Sequence, residues 1–161
     1  ILREEYGRVS LERLLSGKGI FNIYRSLCKI NNIEKVHETP AQVASAAQSG
    51  NDELALQSLN MFCSGMGSAA GNLALTYGAK GGIYIAGGVV PRFIDFFIKS
   101  EFRQKFEEKG RFVSYLKPIP IFIVVRENLG LLGAAKKLKQ FCLINFFLSE
   151  NTKNSKSHRN T

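Results

Sequence analysis

The sequence predicts an α/β fold, with long helices packed on part of a sheet. Two short apolar runs, Ile83–Ala86 and Ile119–Val125, are rich in isoleucine and valine and too short to be helices. Segments with helical apolar periodicity precede, separate and follow them. One of these, from about Asp52 to Tyr77, is crowded in its second half with Gly, Ala and Ser, so it is expected to lie very close to a partner helix or sheet. Two strands are too few for a doubly wound sheet. Further strands are expected upstream of Ile1 or in a partner.

The elements follow in order. Ile1–Arg8 reads as the end of a helix, with Gly7 as its stop. Ser10 is placed to cap a short turn through Leu11–Leu15. Ser16-Gly17-Lys18-Gly19 is expected to break that turn before helical periodicity resumes over Ile20–Lys29. A polar loop covers Asn31–Glu38. Thr39-Pro40 then has the cap-plus-proline signature of a helix start, with Ala41–Gln48 as the helix. Asn51 or Asp52 caps the long helix, whose apolar stripe runs through Leu56, Leu59, Cys63, Met66 and Ala70, widened by Leu54, Phe62, Ala69 and Leu73. After the strand at Ile83, Pro91 is expected to open an amphipathic helix over Arg92–Lys99. A second helix follows over Glu101–Glu108, then a turn region over Gly110–Leu116. Ile119–Val125 is expected as a buried strand with Pro120 near its start, where a missing N–H is tolerable. Asn128 starts a final helix to about Leu148. The last thirteen residues are polar and expected to be disordered.

The chain has 161 residues, 45% hydrophobic and 22% charged, the profile of a globular domain or of one lobe of a larger protein. The longest apolar run, Phe141–Leu148, is interrupted by Asn145 and too short to span a bilayer. No signal-peptide pattern opens the chain. It begins on Ile1 rather than Met, as a processed piece or fragment would. The formal charge is +9, and the stretch from Lys136 onward contributes six basic residues against one acidic. The remaining basic residues are scattered without aromatic interleaving, so a solvated surface is expected rather than a nucleic-acid site. Cys28, Cys63 and Cys142 are widely spaced, with no CxxC pair. They are expected to be buried reduced thiols in a cytoplasmic protein, not zinc ligands or disulfides.

Gly65-Met66-Gly67-Ser68-Ala69-Ala70 matches the dinucleotide pattern G-x-G-x-x-A, but that motif must follow a strand and open a helix. Here it falls mid-helix, so it reads as close packing. His37 lies in a polar loop and His158 in the tail, so no Ser-His or Cys-His relay can be built. Asp95, Glu101, Glu107 and Glu108 read as surface carboxylates. Glu12, set between Leu11 and Leu14-Leu15 just before a glycine-bearing segment, is open to a ligand role, a structural ion pair or simple exposure. Gly87-Gly88 stands at a strand exit, where the absence of Cβ atoms lets a flat ligand approach the backbone. The unpaired N–H groups of the helix start that follows also suit a nucleotide.

Five segments, LREEYGRVSLERLLSGKGIFNIYRSL, MFCSGMGSAAGNLAL, GGIYIAGGVVPRFIDFF, FRQKFEEKGRFVSYLKPIPIFIV and NLGLLGAA, resemble bacterial-type glucokinase in order and spacing, from Ile1 to about Leu138. The resemblance places the chain in the sugar kinase–actin–Hsp70 superfamily, with an actin-like ATPase/ribonuclease H-like fold, as the carboxy-terminal lobe only. Residues 1–140 would form that lobe, incomplete at its start, and residues 141–161 a helix end and basic tail. It implies ATP-dependent phosphorylation of glucose to glucose 6-phosphate, the first step of glycolysis, with Mg²⁺ in the intact enzyme. It implies that Glu12, of the V-S-x-E-R segment, binds a glucose hydroxyl. It implies that Gly87 and Gly88 approach the nucleoside, with Ser16 and Gly17 at the edge of the same cleft. Homodimerisation and a cytoplasmic location are implied too, with no membrane and no nucleic acid.

The same resemblance implies parts that this sequence lacks. The family's D-x-G-G-T phosphate loop, the G-x-G-T-G loop and the E-G-G-H sugar segment do not occur between Ile1 and Thr161, and the chain's Asn-Asp pair, Asn51-Asp52, reads as the cap of the long helix and not as the family's N-D segment with its catalytic Asp. The chain alone is therefore expected to be inactive, with no catalytic residue of its own and no metal ligand. A noncatalytic sugar-kinase-related binding or regulatory module, or a truncated gene product without activity, are the alternatives.

Overall fold

A computed structural model describes residues 1–141 of the chain. The expected end of the final helix, Cys142, His158 and the polar tail lie outside the described residues. The chain forms two compact units, Ile1–Val124 and a second that begins at Val125. In the second, residues 129–141 are helical after Asn128, which has a left-handed φ of 57°.

The first unit is built around α4 (Glu53–Tyr77). Asp52 caps it, accepting a hydrogen bond from the Ala55 N–H at 2.9 Å, and Gly78 ends it in the left-handed conformation. Helices α2 (Gly17–Ile30) and α3 (Pro40–Ser49) pack on α4 and on each other. The start of α3 is a complete capping box between Thr39 and Gln42, followed by Pro40. A short α1 (Leu2–Tyr6) precedes them, stopped by Gly7 at a φ of 66°. Tyr24, Leu59, Phe62, Val43, Phe106 and Leu116 anchor the core.

Strands β1 (Ile83–Ile85) and β2 (Ile121–Ile123) pair in parallel, with Tyr84 opposite Phe122. The connection between them runs through α5 (Ile94–Lys99), α6 (Phe102–Glu107) and α7 (Val113–Leu116), the helical crossover that parallel strands require. The Tyr84 and Phe122 rings stack 4.9 Å apart on an exposed face, while the isoleucines turn toward the core.

Several expectations are corrected. The helix expected from Ile20 starts at Gly17, so Gly17–Gly19 form the first turn of α2 and Ser16 caps it, the Gly19 N–H donating to Ser16 Oγ at 3.0 Å. The cap outweighs the poor helix propensity of the two glycines. Ser10 stands at the cap of a 3₁₀ turn, Leu11–Arg13, but its side chain makes no capping hydrogen bond. Val90–Phe93 is also a 3₁₀ turn, so Pro91 does not open α5 directly. The Gly110–Leu116 region is helical, a 3₁₀ turn leading into α7. Strand β2 is three residues long and half-buried, because only one face meets the core.

The buried face of α4 is also rotated from the expected stripe. Leu73 is 54% exposed, while Gly67, Ala70, Gly71 and Ala74 are buried. A Cβ on Gly67 would fall 2.2 Å from the Phe102 carbonyl oxygen, and one on Gly71 2.4 Å from that of Phe106. The backbones of α4 and α6 therefore approach closely, and burying that seam takes precedence over burying one leucine. The same seam explains the mid-helix G-x-G-x-x-A pattern as packing. Cys28 and Cys63 are buried free thiols, and burial pushes Cys63 up to about 11.

Candidate functional site

The 3₁₀ turn Leu11–Arg13 leaves Glu12 exposed, while Leu14 and Leu15 pack against the core. Its carboxylate has no hydrogen-bond or ion-pair partner among the described residues, so of the readings left open by the sequence, the structural ion pair is absent there. Glu12 lines a cleft of about 260 Å³ with Ser10, Arg13, Ser16, Lys18 and Asn22. Glu12 and Ser16 are thus brought to one cleft. Ser16 Oγ already accepts the Gly19 N–H, so its remaining capacity is one donor and one lone pair.

Gly17 connects this cleft to the glycine pair. A Cβ on Gly17 would stand 3.8 Å from Val89 Cγ2, the residue after Gly87-Gly88. The start of α2 and the exit of β1 therefore lie side by side. Gly87 has a φ of 121°, a conformation that side chains with a Cβ rarely adopt. Around both Gly87 and Gly88, nothing beyond the adjacent residues of the chain lies within 4 Å of the place a Cβ would take. This opening is a surface that a flat ligand can reach, with backbone groups and no side chain in the way.

The turn is held from behind by residues that the sequence reading did not single out. Asn22 is 1% exposed, yet it sits on the apolar face of α2 between Ile20 and Ile23. Its Nδ2 donates to the Arg13 carbonyl at 2.9 Å, and its Oδ1 accepts from Arg25 Nε at 3.2 Å. Arg25 also donates to the Tyr6 hydroxyl at 3.2 Å and pairs with Glu5, which lowers the Glu5 pKa. The Arg13 guanidinium stacks 4.1 Å from the centre of the Tyr6 ring. On the other side, a Cβ on Gly19 would fall 2.2 Å from the Leu14 carbonyl oxygen, so only glycine allows α2 to press on the turn. A lone Asn inside an apolar stripe was the available signal.

A second polar cluster lies away from this cleft. Asp52 accepts from the Tyr24 hydroxyl at 2.9 Å and stands 3.2 Å from His37 Nε2. Burial, with the Asp52 contact added, pushes Tyr24 up to about 12. Burial works against ionised Asp52, but the Ala55 N–H and the Tyr24 hydroxyl hold its carboxyl below the ordinary value of 3.8. The sequence showed Asp52 only as a cap and His37 only as a loop residue.

The glucokinase family model matches residues 1–141. Glucokinase from Hahella chejuensis is 52% identical over 139 residues, covering 86% of this chain and 43% of that protein. Glucokinase from Tolumonas auensis is 50% identical over the same shares. The crystal structure of a glucokinase from an Antarctic psychrotroph superposes with a TM-score of 0.77 at 40% identity, covering 86% of this chain and 43% of that one. The chain thus spans about 43% of the length of these curated relatives.

Proposed function

The chain belongs to the glucokinase family, and on that premise we propose that it supplies two grips to an ATP-dependent phosphorylation of glucose. Glu12 is the sugar-facing carboxylate. Gly87 and Gly88 form the nucleoside shelf, with Ser16 and Gly17 at its edge. The observation that supports this most is the adjacency at α2. Exposed Glu12 shares a cleft with Ser16, and the next residue, Gly17, lies against Val89 beside the glycine pair.

The chemistry of each grip follows from its atoms. An ionised carboxylate accepts strongly from a sugar O–H, so Glu12 fixes the orientation of glucose without joining the bond-making step. The open backbone at Gly87-Gly88 lets an adenosine lie flat against the chain. Phosphoryl transfer then moves the γ-phosphoryl group of ATP to the 6-hydroxyl, and most of its catalysis is positioning and charge stabilisation. Mg²⁺, when bound, neutralises charge developing on the phosphates. Among the described residues no three His, Cys, Asp or Glu side chains cluster as a metal site, so the reading assigns the metal to no residue described here. The reading also covers residues 1–140 as one lobe, homodimerisation and a cytoplasmic location. Among the described residues no helix is long and apolar enough to cross a membrane. The Gly/Ala face of α4 is covered by α6, so a dimer contact would use another surface.

Two measurements test this. The 161-residue chain alone is expected to form no glucose 6-phosphate from ATP and glucose. Measurable formation overturns that expectation. In the complete polypeptide that contains this chain, Glu12→Gln is expected to weaken glucose binding about ten- to a hundredfold, the worth of a charge-assisted hydrogen bond. Unchanged glucose affinity removes Glu12 from the site.

A further inference from the structure

We propose that Asn22 is a positioning residue for Glu12. Its buried amide, bonded to the Arg13 carbonyl on one side and to Arg25 on the other, sets where the Glu12 carboxylate stands. The inference rests on the reading of Glu12 as the sugar's carboxylate.

A buried primary amide is costly unless its donors and acceptor are used. Asn22 uses both ends of its side chain, and neither bond closes a helix or a strand. The Nδ2 bond goes to the last residue of the 3₁₀ turn, adjacent to Glu12 in sequence. That turn has little stiffness of its own: it is three residues long, and Ser10 makes no side-chain cap bond. With Gly19 pressed against the Leu14 carbonyl, the Asn22 bond fixes the turn at both of its downstream residues. Arg25 fixes Asn22 in turn. It holds the amide oxygen, so the NH₂ must face Arg13, and it is itself held by Tyr6 and Glu5 of α1. The Tyr6 ring then returns to the Arg13 guanidinium, closing the brace. The brace serves a residue whose own carboxylate makes none of these contacts.

The test compares Glu12→Gln, Asn22→Asp and Arg25→Gln in the complete polypeptide that contains this chain. Calorimetry gives the dissociation constants for glucose and for an adenine nucleotide, and thermal melting gives Tm. Asn22→Asp keeps the size of the side chain and the bond from Arg25, but it cannot donate to the Arg13 carbonyl. Glucose binding is expected to weaken about tenfold, the worth of one such bond. Tm is expected to fall, since the Arg13 carbonyl loses its donor, while nucleotide affinity is expected to stay near that of the unsubstituted protein. Arg25→Gln leaves Asn22 in place with its brace loosened, and is expected to weaken glucose binding about threefold. Arg25 does not line the Glu12 cleft, so its effect cannot be a direct sugar contact, and it decides the matter if Asn22→Asp does not fold. Glucose affinity unchanged in the folded variants, while Glu12→Gln loses it, overturns the positioning role. So does an equal fall in glucose affinity and nucleotide affinity, the mark of a general packing role. Glucose affinity unchanged in Glu12→Gln overturns the functional reading itself.

Discussion

Two sets of glycines meet opposite surroundings in this chain. At Gly67 and Gly71, carbonyl oxygens of Phe102 and Phe106 occupy the places where Cβ atoms would stand. At Gly87 and Gly88, the same position meets nothing within 4 Å beyond the adjacent residues of the chain. The first pair is required by the chain itself, because α4 and α6 could not otherwise touch. The second pair is required by nothing the chain packs there, although the φ of Gly87 favours glycine on backbone grounds. Glycine in the seam is a packing device; glycine at the exit of β1 faces open surface, as Gly7 and Gly50 do. Glu12 is likewise exposed, while the nearby Asn22 amide is buried and bonded at both its nitrogen and its oxygen.

Substitutions can break this comparison. The largest effect is expected at the seam. Gly67→Ala gains about 1 kcal/mol of helix propensity, but its Cβ meets backbone that cannot step aside. Overpacking should dominate, with a net loss of about 2–3 kcal/mol and a fall in Tm of roughly 10 °C. A rise in Tm would show that α6 moves freely and that the seam is not tight. At the open site, Glu12→Gln should leave Tm unchanged, because no folded-state contact is lost, while costing about 1.5–3 kcal/mol in glucose binding. A large Tm change there would mean that Glu12 has a structural partner after all.

Asp52, which caps the seam helix α4, sharpens the contrast through pH. Its folded carboxyl titrates below 3.8. Its contribution is therefore fully present above that value and is lost as pH falls through the lowered folded value. Asp52→Asn keeps a capping side chain but removes the charge. Its Tm should fall less steeply than that of the unsubstituted protein on acidification below about pH 4. Parallel Tm–pH curves would remove the carboxylate from the stability of α4. The smallest effect on folding is expected at Gly88→Ala, within about 0.5 kcal/mol, since the methyl group enters open space. Nucleotide affinity should nevertheless fall several-fold, and unchanged affinity would take Gly88 out of the shelf.

Much of the first unit was legible because its signals are local. Gly7, Thr39-Pro40 and Asp52 mark helix ends through bonds to their own neighbours. The two isoleucine-rich runs marked the strands. The Ser16–Gly19 segment misled because glycine propensity speaks against a helix, whereas the Ser16 cap and the contact of Gly19 with Leu14 hold one. Leu73 misled because its stripe assumed that bulk decides which face is buried. At the candidate site, Glu12, Ser16, Gly17 and the glycine pair were singled out by motif, whereas Asn22, Arg25 and Tyr6 were not. Their roles are bonds between residues distant in sequence, and no periodicity encodes those.

The sequence by itself determined the class of fold, the caps of α3 and α4 and the family pattern. Each of these depends on a residue and its near neighbours in the chain, or on a pattern matched along it. Only the tertiary structure decided which glycines are filled and which are open, which face of α4 is buried, and what holds the turn that carries Glu12. Those depend on where other backbones pass through space, since an absent Cβ has one meaning against a carbonyl oxygen and another against solvent.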